Sequence, residues 1–245
     1  MGRKTKELNA LGTLSSWTYD ANGNVLTARV YGDPTTAPAG GAEPTPVNGS
    51  NYRETVYTYD FNNRLITTKV AAVRIGLIDI NGNYGSAITD IVTLTEYDLA
   101  GNVVRETNGR GSTLTSYFDA AGRKTAQVDE ENYLTTWTRD SDGNVLSETR
   151  FATKFVGTPV LGTPPTVTAD SANDRTTTFT YDKMGNRKTE TRTGVVAWGV
   201  DSNGLLTGGT AVSATIAYDY NGLGLVTKKT EATLEVSDYG YDSSG

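Results

Sequence analysis

YDLAGNVVRETNGRGSTLTSYFDAAGRKTAQVDEENYLTTWTRDSDGNVL, Tyr97 to Leu146, holds three copies of one short pattern. An aromatic residue and an aspartate precede two free positions, a glycine and then Asn or Arg. The copies are Tyr97-Asp98 with Gly101, Phe118-Asp119 with Gly122, and Asp140 with Gly143, where Arg139 stands in the aromatic slot. Their aspartates are 21 residues apart. Upstream lie Tyr19-Asp20 with Gly23, and Tyr59-Asp60 with Asn63 in the glycine slot. Downstream the pattern reads Tyr181-Asp182 with Gly185, Tyr218-Asp219 with Gly222, and Tyr241-Asp242 with Gly245. From Asp20 the steps between aspartates are 40, 38, 21, 21, 42, 37 and 23 residues. That is a unit of about 21 residues, lengthened in four places by an insertion, and such periodicity is the first thing to settle in a sequence.

Gly2–Leu26 aligns without gaps on Gly122–Leu146, placing Arg3 on Arg123, Trp17 on Trp137 and Asp20 on Asp140. Gly2 then takes the glycine slot of a repeat whose Tyr-Asp precedes Met1, and Gly245 is a glycine slot with no strand after it. The expectation is one repeat array over residues 1–245, cut at both ends and continued in a longer chain.

Asp-x-x-Gly suits a type I turn followed by a left-handed residue. The aspartate accepts backbone N–H bonds, and glycine enters positive φ without a Cβ clash. Asn63 tolerates the same region. Such turns join hairpin strands, and the flanking residues alternate as strands do. The chain has 40 threonines among 245 residues, a β-branched excess that favours pleated surfaces. Two residues before the aromatic slot stand Trp17, Tyr57, Trp137, Phe179, Ile216 and Tyr239, with Thr95 and Ser116 as exceptions. The sequence predicts that these residues stack as an aromatic ladder across neighbouring strands.

The second turn of each unit varies. Asn108–Gly111 and Asp129–Asn132 are tight, whereas residues 31–51, 71–90, 152–174 and 194–210 are insertions expected to project from the edge opposite the Asp-x-x-Gly turns. All seven prolines lie in the first and third insertions, none in a predicted strand. The other two read as extended hairpins tipped by Asp79–Asn83 and Asp201–Leu205. Eight two-strand units give up to about 16 antiparallel strands, enough for the sheet to curl into a spiral or partial barrel.

The recurring Tyr-Asp-x-x-Gly-Asn/Arg resembles the RHS or YD-repeat family, over essentially the whole chain apart from the insertions. The resemblance implies an all-β fold of antiparallel hairpin repeats curling into a shell. In bacterial members of that family the shell encloses a C-terminal toxic domain, and animal teneurins use a related shell in adhesion. It implies a non-catalytic structural role, flanking repeats as partners, an enclosed toxin or other cargo, and secretion or a cell-surface location as part of a larger protein. The sequence departs from the complete bacterial pattern: its one Asp-Pro, Asp33-Pro34, is followed by Thr35-Thr36, so the Asp-Pro-x-Gly self-cleavage motif is absent.

Composition narrows the chemistry. The chain contains no histidine and no cysteine, which excludes Ser-His-Asp triads, thiol nucleophiles and Cys- or His-based zinc sites within it. A net charge of −6 argues against nucleic acid. No apolar run approaches the roughly 18 residues of a membrane helix, and MGRKTKELNALG has no apolar signal-peptide core. Asp140-Ser-Asp142-Gly-Asn144 resembles half a calcium loop, but its twelfth position is Phe151 rather than an acid. Glu54, Glu130 and Glu131 read as solvated charge rather than a glycosidase pair. The Gly2–Thr5 and Gly122–Thr125 segments read as exposed charges that discourage edge pairing. Trp17 and Trp137 read as packing residues rather than sugar platforms, and Asn48-Gly49-Ser50 as loop. No cofactor or metal is expected. The alternative function is adhesion or carbohydrate binding through the edge insertions.

Overall fold

The computed structural model describes residues 2–78 and 80–242. Met1, Asp79 and Gly245 lie outside the described residues. Sixteen strands and no α-helix are found among those described. The chain divides into two compact units, residues 1–113 and 114–245.

The first unit holds β1 (Lys6–Leu8), β2 (Leu14–Tyr19), β3 (Val25–Tyr31), β4 (Tyr52–Tyr59), β5 (Leu65–Ile78), β6 (Tyr84–Tyr97) and β7 (Val103–Thr107). Each pairs antiparallel with the next. The second unit begins within β8 (Thr113–Phe118). It continues through β9 (Lys124–Val128), β10 (Tyr133–Arg139), β11 (Val145–Lys154), β12 (Arg175–Tyr181), β13 (Arg187–Val200), β14 (Leu206–Tyr220), β15 (Val226–Thr230) and β16 (Val236–Asp238). These also pair antiparallel in chain order. The fold is all-β and built from antiparallel hairpins.

Little is buried. The chain exposes 16262 Å², against about 10,600 Å² for a compact monomer of this mass. The largest described core is Tyr117, Ala126, Val128 and Leu134, with Phe151 and Val167 packed on it. Val167 belongs to the third insertion. Neither proline-containing insertion simply projects: each folds back on the second turn of the hairpin before it. Thr35 N–H donates to the Gly12 carbonyl at 2.7 Å, and Phe155 N–H to the Asn132 carbonyl at 2.8 Å. Each docking lies beside a fully or nearly fully buried leucine position, Leu14 and Leu134 respectively. The two proline-free insertions prolong β5–β6 and β13–β14.

Two sequence expectations are corrected. The seventh turn does not form at Asp219 and Gly222. Tyr218 and Asp219 are still paired within β14, opposite Lys229 and Lys228. The turn forms two residues later: Asn221 N–H donates to the Leu225 carbonyl, Gly224 N–H donates to the Asn221 carbonyl, and Gly224 carries φ +78°. Tyr220-Asn221 with Gly224 is therefore the repeat. The predicted aromatic ladder is also absent. The strand beside each aromatic residue presents a different kind of side chain: Ala28 faces Trp17, Thr68 faces Tyr57, Glu148 faces Trp137 and Glu190 faces Phe179. The aromatics thus stand two strands apart, beyond ring contact.

With the turn at Asn221, the steps become 40, 38, 21, 21, then 42, 39, 21. The order long, long, short returns after about 122 residues. The structure repeats with it. The docking of Thr35 on Gly12 recurs 120 residues later. The bulge in β5 that sets Ala72 at φ +53° recurs in β13, 122 residues later, at Gly194 with φ +67°. The second turn at Asn108–Gly111 recurs 123 residues later at Glu231–Leu234. The higher unit is a block of four hairpins.

Candidate functional site

The repeat turn concentrates the polar chemistry. Six repeat aspartates use both carboxylate oxygens. In Asp20, Oδ1 accepts the Asn24 backbone N–H and Oδ2 accepts its side-chain amide, both at 2.8 Å. Asp98, Asp140 and Asp182 hold Asn102, Asn144 and Asn186 in the same way. Asp60 and Asp119 hold Arg64 and Arg123 instead, through backbone N–H and Nε. The sixth position of the motif is therefore Asn or Arg because it must donate to Oδ2. The left-handed position is filled by Gly23, Gly101, Gly122, Gly143, Gly185 or Asn63.

Hydrogen bonding depresses these carboxyl pKa values. The side-chain amide is the first cause at Asp20, Asp98, Asp140 and Asp182. The backbone N–H is the first cause at Asp60 and Asp119. A carboxylate that accepts several donors prefers its charged form.

The aromatic slot acts across repeats. Tyr19 Oη donates to the Lys4 carbonyl at 2.6 Å, and Tyr97 to Leu65 at 3.1 Å. Tyr181 reaches Val145 at 3.0 Å, Tyr220 reaches Arg187 at 2.8 Å and Tyr241 reaches Val226 at 2.7 Å. Burial raises the pKa of Tyr59, and the Val25 backbone opposes that rise. Each acceptor is the first residue after the preceding repeat's turn motif, so each tyrosine bonds its own repeat turn to the turn end of the preceding hairpin. Arg139 makes the equivalent link, its guanidinium donating to the Lys124 carbonyl at 3.1 Å. The missing aromatic is thus a functional substitute. Phe118, without a hydroxyl, makes no such bond.

Arginines in the sixth slot strengthen the link. Arg3 donates to the Asp20 carbonyl at 2.8 Å and lies over the Tyr19 ring. Arg64 donates to the Asp98 carbonyl and lies over Tyr97, 4.4 Å from the ring centre. Arg123 lies against Gly143, where a Cβ would come within 3.2 Å of its Nη1. Gly2–Thr5 and Gly122–Thr125 are therefore turn-joining segments rather than edge charges.

The other candidates fall into place by geometry. Asp140 is taken up by Asn144, and no group of three His, Cys, Asp or Glu side chains suited to a metal exists among the described residues. Glu54 pairs with Arg29 at 2.7 Å across β3–β4, while Glu130 and Glu131 are exposed in a turn. Lys4 lies over the Trp17 ring, and the Trp137 indole N–H donates to Glu148. Asn48 Oδ1 accepts the Ser50 N–H and hydroxyl within its loop. The second turns at Asn9–Gly12, Asn108–Gly111 and Asp129–Asn132 have the same backbone bonding as the repeat turns. Their Asx-x-x-Gly/Asn spelling carries that signal in the sequence.

Residues 97–132 match the family model described as RHS Repeat. That match spans 36 of the 245 residues, the stretch with the most closely spaced repeats. The crystal structure of TcdB2-TccC3-Cdc42 is similar at 16% identity and TM-score 0.41, covering 93% of this chain and 11% of that one. The structure of TcdB2-TccC3 without its hypervariable C-terminal region is similar at 16% identity and TM-score 0.40, again covering 93% and 11%. A porin-like protein from Bacteroides uniformis follows at 14% identity and TM-score 0.22, covering 87% of this chain and 94% of that one. No curated protein matches the sequence. The chain thus spans about a ninth of the TcdB2-TccC3 chains it resembles. No described helix is long and apolar enough to cross a membrane.

Proposed function

We propose that this chain is a structural, non-catalytic wall segment of a larger secreted or surface RHS protein, whose shell encloses and helps deliver a C-terminal toxin or other cargo. The observation that carries this reading is the tyrosine link, which bonds one repeat to its predecessor at Tyr19, Tyr97, Tyr181, Tyr220 and Tyr241. Such an element has its use in a continuous wall, where the repeats support one another. The large exposed area fits a surface meant to face an interior. The repeat residues from Tyr19, Asp20 and Gly23 through Tyr241 and Asp242 are on this reading positioning residues of the wall. Their seventh set is Tyr220, Asn221 and Gly224.

The test uses the longer protein that contains this segment. Under limited proteolysis, its C-terminal part should resist digestion while the wall is intact. It should become cleavable when Tyr181→Phe and Tyr220→Phe are combined. Equal digestion of wild type and variant, with the wall folded in both, would reject enclosure by this segment. The adhesion alternative draws on the exposed Ile78, Ile80 and Tyr84 at the tip of the β5–β6 hairpin. It predicts binding that disappears when residues 73–89 are replaced by a short turn.

A further inference from the structure

Asn108 and Asn221 each head an Asx-x-x-Gly turn and are each followed directly by glycine. Their side-chain amides are held alike. Asn108 Oδ1 accepts the backbone N–H groups of Arg110 at 2.9 Å and Ser112 at 3.1 Å. Asn221 Oδ1 accepts those of Leu223 at 2.9 Å and Leu225 at 3.0 Å. Neither Nδ2 has a hydrogen-bond partner among the described residues, and neither does the backbone N–H of Gly109 or Gly222. Both glycines are exposed.

Four other asparagines each lack one part of this arrangement. Asn9 Oδ1 accepts the N–H groups of Leu11 at 3.0 Å and Thr13 at 2.9 Å, but the next residue is Ala10. Asn22 and Asn203 precede Gly23 and Gly204, yet stand at the third position of their turns. There the glycine N–H is taken, donating to the Asp20 carbonyl at 3.2 Å and to the Asp201 carbonyl at 3.0 Å. Asn22 Nδ2 is also tied to Asn63 Oδ1 at 2.9 Å. Asn48, before Gly49, has a single backbone donor on Oδ1, the Ser50 N–H, with the Ser50 hydroxyl beside it.

We infer that Asn108 and Asn221 are self-modifying sites, at which the turn converts its own asparagine to aspartate or isoaspartate with water as co-reactant. The backbone nitrogen of Gly109 or Gly222 attacks Cγ of the asparagine before it. The new N–Cγ bond closes a five-membered imide. The Cγ–Nδ2 bond breaks, and the amide leaves as ammonia with the proton that the glycine nitrogen gives up. Water then opens either carbonyl of the ring, so that OH has replaced NH2. The turn favours this in three ways. Negative charge builds on Oδ1 as the nitrogen adds, and two backbone N–H groups already in place bond an oxyanion more strongly than a neutral amide oxygen. The glycine N–H makes no turn bond that its deprotonation would forfeit. Glycine also brings no Cβ beside the attacking nitrogen. The aspartate product suits both places. Asp129 heads the second turn of the next unit with Oδ1 on the Glu131 and Tyr133 N–H groups, and Asp20, Asp60, Asp98, Asp119, Asp140 and Asp182 head the repeat turns equivalent to that of Asn221. Isoaspartate instead routes the main chain through Cγ and lengthens the turn by one atom. At residue 221 that change falls next to Tyr220, whose hydroxyl joins the turn to Arg187.

Peptide mapping by mass spectrometry, after incubation of the folded chain in heavy-oxygen water, tests the inference, because each new conversion leaves heavy oxygen on the residue. Asn108 and Asn221 should convert at least about tenfold faster than Asn22, Asn203 and Asn9, with Asn48 between. In denaturant, Asn22, Asn108, Asn203 and Asn221 should converge on one rate, since only the Asn-Gly sequence then remains. Gly222→Ala introduces a Cβ that meets nothing within 4 Å. It should slow conversion at Asn221 at least about tenfold and leave Asn108 unchanged. Equal rates at Asn22, Asn108, Asn203 and Asn221 in the folded chain would overturn the inference. So would a folded chain in which Asn108 and Asn221 stay intact while the denatured chain reacts, or an unchanged rate at Asn221 in Gly222→Ala.

Discussion

The first block of four hairpins, from Asp20 to Arg139, and the second, from Asp140 onward, share their turns, the tyrosine links apart from that at Phe118, the docked insertion and the bulge in the third long strand. They differ on the sheet face, where small and neutral side chains in one are charged in the other. The elements held in common are those that join one hairpin to the next. The face contributes little to holding the hairpins together, which leaves it open to change. The same contrast appears in burial. Leu14 and Leu134 occupy corresponding places beside the docked insertions and are 0% and 2% exposed, whereas Ile78 at a hairpin tip is 65% exposed.

The largest expected effect tests that burial contrast. Leu134→Ala should cost about 2–4 kcal/mol, and Leu14→Ala a similar amount. Ile78→Ala should change stability by less than about 0.5 kcal/mol. Denaturant titration with a common slope measures all three, and a Leu134→Ala cost near that of Ile78→Ala would break the comparison.

The bulge gives the next test. Ala72 sits at φ +53° where the second block has Gly194, and the N–H of Ala72 donates to Asp90. Ala72→Gly should stabilise the first block by about 1 kcal/mol by relieving left-handed strain. Gly194→Ala should destabilise the second by a similar amount or more, since its Cβ would lie 2.9 Å from an Arg175 nitrogen. A smaller gain is expected from Arg139→Tyr. The Nε of Arg139 is buried without a partner, and a tyrosine would keep the bond to the Lys124 carbonyl without that orphan, worth about 0.5–1.5 kcal/mol. Thermal melts of the paired variants distinguish these outcomes.

Acid acts on both blocks alike. The repeat carboxylates have lowered pKa values in the folded chain. Their contribution is complete above the unfolded value near 3.8 and is lost as pH falls through the lower folded values. Stability measured between pH 5 and 2 should therefore fall below about pH 4. Asp140→Asn should flatten that fall, and an unchanged slope would deny the carboxylate its role.

The turns are legible in the sequence because Asp and Gly have separate and necessary roles at fixed spacing. The all-β fold follows from repetition. The seventh turn is obscured because Tyr218–Leu223 spells the motif while Tyr220–Leu225 forms it. The overlapping Asn221-x-x-Gly224 is equally competent locally, and the bond from Tyr220 to Arg187 joins that second frame to the preceding hairpin. The substitution of Arg139 for tyrosine is hidden for a related reason: its role is defined by the carbonyl it reaches, not by aromatic character. The ladder fails because equal positions in successive repeats are separated by a strand from the hairpin between them. Insertion docking lies in two backbone bonds, at Thr35 and Phe155, which carry no side-chain signature.

The tyrosine links all run in one direction. The hydroxyl lies downstream and its carbonyl partner upstream, by 15 residues at Tyr19 and Tyr241 and by 36 at Tyr181. A chain leaving the ribosome thus presents every acceptor before the donor that will claim it. Each hairpin can fasten onto finished structure while the remainder is still being synthesised, so the hairpins can be laid down in the order in which they are translated.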